Sequence, residues 1–344
     1  MIRVAVTGLS AAGMEHARWF ASQRDVELVG VLDNDREIAE ACSRKLGVPI
    51  LSDIDALIAT KPRLVSVRST SADRTRYIRA LIEANVNVVA SLPIVSDLDE
   101  LAGLAALARS NGVILAGDFH LRFTPAVHKA KAWLAEGAVG TPLFINVNLF
   151  TRTDDKDDPA GCFRSLGIHG MDLVRTFAGD VTRVQCFATK PANRQNWSTA
   201  QINLHFADNN TPGPVGTLTL SADMSLRHPI GRVEMAGSRA RFTIENVYEE
   251  ATLFVHDDEE KRVVTNSIFG GVPQLRTTYG LRLAAIVKQI QTGDASGTDL
   301  DEVLKSAAVV EAAIDAANTG KVIETAPYME RFGVVVNAVR EAGR

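Results

Sequence analysis

Short apolar runs alternate with helix-spaced apolar positions through the first third of the chain. Ile2–Val6 and Val26–Leu32 read as strands, the first carrying β-branched valines. Between them Met14, Ala17, Phe20 and Ala21 recur at helical spacing. The alternation continues with a helix over Arg36–Leu46, closed by Gly47, and a short helix to Thr60 opened by the capping box Ser52-Asp53-Ile54-Asp55. A strand at Leu64–Val67, a helix at Thr75–Ala84, a strand at Val86–Ala90, a helix from Ser96–Asp99 to Ser110 and a strand at Gly112–Ala116 complete it. This order predicts a parallel sheet covered by helices on both faces.

The pattern changes near residue 120. Thr124-Pro125 is a cap-then-proline start for a helix to Glu136. Strand-like runs then dominate: Leu143–Thr151, Val181–Thr189, Ser198–Ala207, Val215–Ala222, Gly231–Asn246, Ala251–His256 and Arg262–Asn266. Turn clusters such as Asn209-Asn210-Thr211-Pro212-Gly213 separate them. A helix at Leu166–Ala178 interrupts the run, and helices at Leu275–Thr292 and Asp301–Asn318 close it. Leu143, Ile145, Val147 and Leu149 alternate with Phe144, Asn146, Asn148 and Phe150. Ile202, Leu204 and Phe206 alternate with Gln201, Asn203 and His205, and Leu218 and Leu220 with Thr217 and Thr219. One face is thus a core; the other is polar but poor in Lys and Glu, and is either wet or a subunit interface. The expected class is α/β: a doubly wound parallel sheet over residues 1–120, then an α+β domain over 121–344 with a large, mostly antiparallel open sheet.

The opening unit carries the first candidate chemistry. Gly8-Leu9-Ser10-Ala11-Ala12-Gly13 turns from strand to helix, and Asp33 ends the next strand about twenty residues later. Strand, glycine turn, helix, strand and terminal acid is the order of a Rossmann dinucleotide-binding unit. Gly8 suits the tight corner, Gly13 lets the helix approach the sheet, and the amides of Ser10, Ala11 and Ala12 suit a pyrophosphate. Asp33 can hydrogen-bond a ribose and repel a 2′-phosphate, so NAD is expected rather than NADP, with Arg36 close by as a counter-signal. The middle glycine of G-x-G-x-x-G is Ser10, whose hydroxyl can donate to phosphate. The loop Arg68-Ser69-Thr70-Ser71 follows the third strand, at the carboxyl edge where such sheets bind ligands.

Bulk properties narrow the rest. The 344 residues suffice for two domains with buried cores. Hydrophobic residues are 46% and net charge is −4, without a basic block, so neither nucleic acid nor a membrane surface is an expected partner. No apolar run reaches spanning length and no leader precedes the first strand, so a cytoplasmic location is expected. Cys42, Cys162 and Cys186 are too few and too scattered for a disulfide framework or a zinc site. Asp154-Asp155-Lys156-Asp157-Asp158 lacks the Gly and Glu spacing of a calcium loop and reads as a solvated loop. No metal is expected.

Taken together, these segments resemble the glucose–fructose oxidoreductase / inositol dehydrogenase (Gfo/Idh/MocA-type) family nearly end to end. The likeness rests on the opening nucleotide unit, Pro93 after the fourth strand, Arg122-Phe123-Thr124-Pro125, Glu136-Gly137-Ala138-Val139-Gly140-Thr141-Pro142, Gly167-Ile168-His169-Gly170-Met171-Asp172 and the Gly237 turn. The resemblance implies an NAD(P)-dependent enzyme acting on sugars, polyols or similar small molecules, forming a homodimer or homotetramer through the open sheet. It places Leu92 and Pro93 beside the nicotinamide and His169 as the catalytic acid/base. Two positions depart from the family pattern. Ser91-Leu92-Pro93 stands where the family usually reads Glu-Lys-Pro, and Ser165 stands where an Asp commonly precedes the catalytic histidine. Neither Leu92 nor Ser165 can supply acid–base chemistry at neutral pH.

Other residues next to these segments are candidates for the substrate. Arg68, Arg122 and Arg164 can bind a carboxylate or phosphate, or can pair with acids of the protein. His120 either faces the cleft or ends the fifth strand, and Asp172 either orients His169 or decorates its helix. Three functions fit: net hydride transfer between NAD and a polyhydroxylated substrate, a redox-neutral lyase, epimerase or glycosidase using NAD transiently, and a non-catalytic nucleotide-binding regulator.

Overall fold

Val4, Ala5 and Val6 are fully buried in β1 (Ile2–Thr7), which lies inside a five-stranded parallel sheet. The computed structural model describes all residues except 70, 153–157, 193–194, 208–212, 225–229, 248, 260, 266–274, 294–297 and 337–344. In its first unit α1 (Ala11–Ser22), β2 (Val26–Leu32), α2 (Arg36–Leu46), α3 (Ile54–Ala59), β3 (Leu64–Val67), α4 (Ser71–Glu83), β4 (Asn87–Ala90), α5 (Leu98–Asn111) and β5 (Leu115–Gly117) follow β1. Strand order is β2-β1-β3-β4-β5 and every neighbouring pair is parallel, the doubly wound arrangement expected.

Local differences from the sequence reading have simple causes. Asp53 rather than Ser52 caps α3, its carboxylate accepting from Ala56 N at 2.8 Å, because a carboxylate outcompetes a hydroxyl there. Gly112 is not in the fifth strand; it closes α5 in the left-handed region at φ 63° and so delays β5 to Leu115.

The remaining elements are α6 (Pro125–Ala135), β6 (Pro142–Phe150), α7 (Ile168–Ala178), β7 (Val181–Thr189), β8 (Thr199–Phe206), β9 (Val215–Ser221), β10 (Ile230–Gly237), β11 (Ala240–Glu245), β12 (Glu250–Val255), β13 (Lys261–Thr265), α8 (Leu275–Thr292), α9 (Thr298–Thr319), β14 (Ile323–Glu324) and α10 (Ala326–Glu330). Contacts group Met1–His120 with Gln274–Val303, and Leu121–Pro273 with the chain from Leu304. The helix α8, expected with the second half, therefore packs with the first unit. Its Leu283, Ile286, Val287 and Ile290 share one apolar core with Phe20, Val89 and Ala116. Helical periodicity shows that a helix has an apolar face but not which sheet receives it.

The second unit holds a nine-stranded sheet ordered β13-β12-β11-β10-β6-β9-β8-β7-β14, antiparallel except between β6 and β9. The run predicted over Gly231–Asn246 is a hairpin of β10 and β11. Register aligns Val233, Val147, Leu218, Ile202 and Cys186 in one buried row. The adjacent row on the other face is Glu234, Asn146, Thr217, Asn203 and Gln185, with Thr217 donating to Asn146 Oδ1 at 2.8 Å. Leu143, expected in the core, is 53% exposed at the start of β6. The turn predicted at Asn209–Gly213 falls mostly outside the described residues.

Candidate active site

In the first unit the candidate cofactor-binding residues lie at the carboxyl ends of its parallel strands. A β-carbon on Gly13 would sit 1.9 Å from Gly8 O, so only glycine lets the first turn of α1 fold back on the loop. Gly8 has φ 75°, and on its other side lies the backbone of Arg68 and Ser69. Ser10 is the N-cap of α1, but its side chain makes no cap bond. The amides of Ala11, Ala12 and Gly13 therefore open the helix without a side-chain acceptor, which fits an anionic diphosphate.

Asp33 closes this loop from the end of β2. Its Oδ2 accepts from Leu9 N in a short contact and its Oδ1 from Asp35 N at 2.8 Å. Each carboxylate oxygen retains lone-pair capacity, so the same group can hold the loop and accept from ribose hydroxyls. Arg36 is bound to Glu40 at 2.9 Å, one helical turn along α2, and its side chain is 90% exposed.

A buried polar cluster lies against the loop. His16 on α1 sets Nδ1 2.8 Å from Ser66 Oγ and Nε2 3.4 Å from Asp118 Oδ2, while Arg68 Nη1 donates to the same Oδ2 at 2.6 Å. Nδ1 and Ser66 share a hydrogen bond, whereas Nε2 reaches Asp118 only as a longer ion-pair contact. Burial lowers the pKa of His16, against the pull of Asp118. Burial favours protonation of Asp118, but His16 and Arg68 outweigh it and hold the carboxyl below the usual range. His120, in the 3₁₀ turn after β5, is buried, donates from Nδ1 to Asp118 O at 3.2 Å and packs on Tyr279 with centroids 4.5 Å apart. Ser91 Oγ and Asp118 Oδ1 are buried with no hydrogen-bond partner among the described residues. Two unsatisfied polar atoms at adjacent strand ends also fit a site that receives a polar ligand.

Sequence reasoning passed over Arg74. Its guanidinium donates to Ser69 O at 3.1 and 3.2 Å and to Pro93 O at 2.6 Å, joining the loops after β3 and β4. Burial first and Arg68 second bring its pKa down to about 10. An arginine on an exposed-looking helix turn carries no signal that its partners are carbonyls of two loops. Ser69 is buried and shares a 2.7 Å hydrogen bond with Thr7. Leu92 lies so close to Gly117 that a β-carbon there would meet its Cδ2 at 2.9 Å. Thr70 is outside the described residues.

The second unit presents His169 on α7. The helix begins earlier than Leu166, and Phe163–Gly167 form a π-turn immediately before Ile168. Within it Ser165 Oγ donates to Gly161 O at 2.8 Å. Gly170 lets α7 lie on the sheet, since a β-carbon would meet Leu218 Cδ1 at 2.6 Å. His169 is half-buried, and its Nδ1 is buried.

The arginine candidates are engaged by acids of the protein, the second of the two alternatives. Arg122 clasps Asp172 through Nε at 2.9 Å and a shorter Nη2 contact, so Asp172 faces Arg122. Arg164 spans Glu311 at 2.6 Å and Asp158 at 2.8 Å, and these acids raise its pKa, Glu311 most. Asp118 holds Arg68. Of the acidic run, residues 154–157 are outside the described residues. Among the described residues no group of three His, Cys, Asp or Glu side chains converges as metal ligands, and no helix is long and apolar enough to cross a membrane.

Comparisons with known proteins bear on the two halves of the chain. Residues 2–119 match the family model described as "Oxidoreductase family, NAD-binding Rossmann fold" and residues 127–243 the "GFO/IDH/MocA C-terminal domain". The chain is 27% identical over 190 residues to D-glucoside 3-dehydrogenase of Escherichia coli (strain K12), covering 52% of this chain and 54% of that protein. It is 24% identical to myo-inositol 2-dehydrogenase of Thermotoga maritima over 85% of this chain and 89% of the other. The chain spans about half the length of the first curated relatives it matches. A probable dehydrogenase from Thermotoga maritima superposes with TM-score 0.81 at 20% identity, over 95% of this chain and all of the other (100%). Levoglucosan dehydrogenase, solved with NADH and levoglucosan, gives 0.81 at 17% identity over 94% of this chain and 98% of that one. With both of its domains matched in order, the chain belongs to the GFO/IDH/MocA oxidoreductase family, with an NAD-binding Rossmann fold at its N-terminus.

Proposed function

We propose that this protein is an NAD-dependent oxidoreductase acting on a small polyhydroxylated, sugar-like substrate. The observation that carries the reading is the uncapped start of α1 folded against Gly8, with Asp33 gripping the same loop from the end of β2. Gly8 to Gly13 would hold the pyrophosphate and Asp33 the adenosine ribose. NAD, when bound, supplies the hydride acceptor or donor. His169 takes the proton of the substrate hydroxyl during oxidation and returns it during reduction. Leu92 and Ser165 bring no charge to that step, which leaves His169 as the sole proton carrier of the set implied by the resemblance.

That loss favours one second reading: oxidation at one carbon that assists elimination, epimerisation or glycoside cleavage without net change in NAD. Product formed with no change in NADH absorbance distinguishes it. A protein that binds nucleotide and turns over nothing is the regulator instead.

Asp33→Ala tests the cofactor assignment. Calorimetry is expected to show weaker NAD binding and less discrimination against NADP, since the accepting and repelling carboxylate is gone. Unchanged affinity for both nucleotides contradicts it.

The polar face of the nine-stranded sheet is proposed as a subunit contact. Asn146, Asn203, Thr217 and Gln185 offer hydrogen bonds, Glu234 in the same row is already paired with Arg241, and Phe187 on that face is 65% exposed. Light scattering at micromolar concentration should give a dimer or tetramer; a monomer rules the contact out.

A further inference from the structure

The loop after β2 is tied to α4. Asn34 Nδ2 donates to Asp73 Oδ2 at 2.7 Å across the corner between them. The other oxygen of Asp73 accepts from Arg76 Nη2 at 3.0 Å, and the Arg76 guanidinium lies over Tyr77 with 4.9 Å to the ring centroid. Asn34 directly follows Asp33, the residue placed on the adenosine ribose. The corner holding one end of the dinucleotide therefore carries a second carboxylate from a different element.

The charges there are arranged against a further anion. Asp33, Asp35 and Asp73 are the carboxylates; Arg36, Arg74 and Arg76 are the cations within the same short segments. Arg36 is engaged by Glu40 and Arg76 by Asp73, while Arg74 is bound to the carbonyls of Ser69 and Pro93. The Tyr77 hydroxyl, its pKa raised first by burial, is raised further by Asp73 and, least of the causes, by Asp33.

We propose that Asp73 is a second determinant of NAD over NADP. It sets a negative charge beside Asp33 and occupies Arg76, the cation that would otherwise meet a 2′-phosphate. The proposal rests on the NAD-binding reading above. A carboxylate within a few ångströms of a phosphate carrying one to two charges opposes it by roughly a kcal/mol at the surface, about a fivefold to tenfold effect on affinity.

The test is calorimetric titration of NAD and NADP into the wild type, Asp73→Asn and the double variant Asp73→Asn/Arg76→Gln. Asp73→Asn keeps an oxygen that can accept from Asn34 but removes the charge. It should bind NADP roughly five to ten times more tightly with NAD affinity unchanged, and Arg76→Gln should cancel that gain. NAD binding in all three proteins, with no gain for NADP in Asp73→Asn, overturns the role of Asp73 alone. A gain that survives Arg76→Gln overturns the part assigned to Arg76. A wild type that binds neither nucleotide overturns the NAD reading and this inference with it.

Discussion

His169→Ala lowers kcat by about a hundred- to ten-thousand-fold while leaving the Kd for NAD unchanged; this is the largest effect on activity the proposed mechanism allows. The histidine stands on the rigid α7, seated on the sheet through Gly170, with Nδ1 buried. Removing the imidazole takes away the proton carrier and leaves every residue of the dinucleotide loop in place. Leu92→Lys is the companion variant, because an ammonium there supplies the charge that Leu92 lacks and can stabilise a developing alkoxide. Steady-state kinetics with calorimetric NAD binding decide the matter. An unchanged kcat in His169→Ala removes the histidine from the chemistry.

Asp180→Ala lowers the unfolding free energy by about 3–5 kcal/mol, the range expected when one partner of a buried ion pair is removed. Asp180 follows α7 directly and is buried. Its Oδ1 accepts from Arg175 at 2.7 and 3.1 Å, and its Oδ2 from Lys305 of α9 at 2.6 Å. Arg175 reaches Ser306 Oγ at 3.0 Å as well. Deleting the carboxylate leaves two cations without the anion that joins them, in a place water does not reach. Denaturant unfolding of the two proteins measures the difference. A loss below about 1 kcal/mol, the scale of an exposed pair, shows that the cluster is solvated in practice.

This cluster also shows where sequence reading stops. Asp180 reads as a turn residue after Gly179, and nothing at Lys305 marks it as the partner of an acid so distant in the chain. The same holds for Glu311 with Arg164 and for Asp118 with His16 and Arg68. Charged residues carry no periodicity that declares their partner, so these pairs become visible only once the sheet registers are set. Elements fixed by local rules were legible: the strands of the parallel sheet by their apolar runs, α2 by its closing Gly47, and α6 by Thr124-Pro125. The dinucleotide loop was legible because its glycines answer to backbone contact, with Gly13 meeting Gly8. Placement of α8 was not, since Leu283 and Ile286 fit any apolar groove. Arg74 escaped for a related reason: its acceptors are backbone carbonyls, which every sequence has.

The measurement that bears most directly on the proposed activity is NADH formation from NAD against a panel of inositols, sugars and sugar acids, with carbonyl product quantified in the same samples. The account predicts that at least one polyhydroxylated compound yields NADH and oxidised product in equal amounts. NAD bound calorimetrically with no NADH formed across the panel, whether or not another product appears, would contradict net hydride transfer.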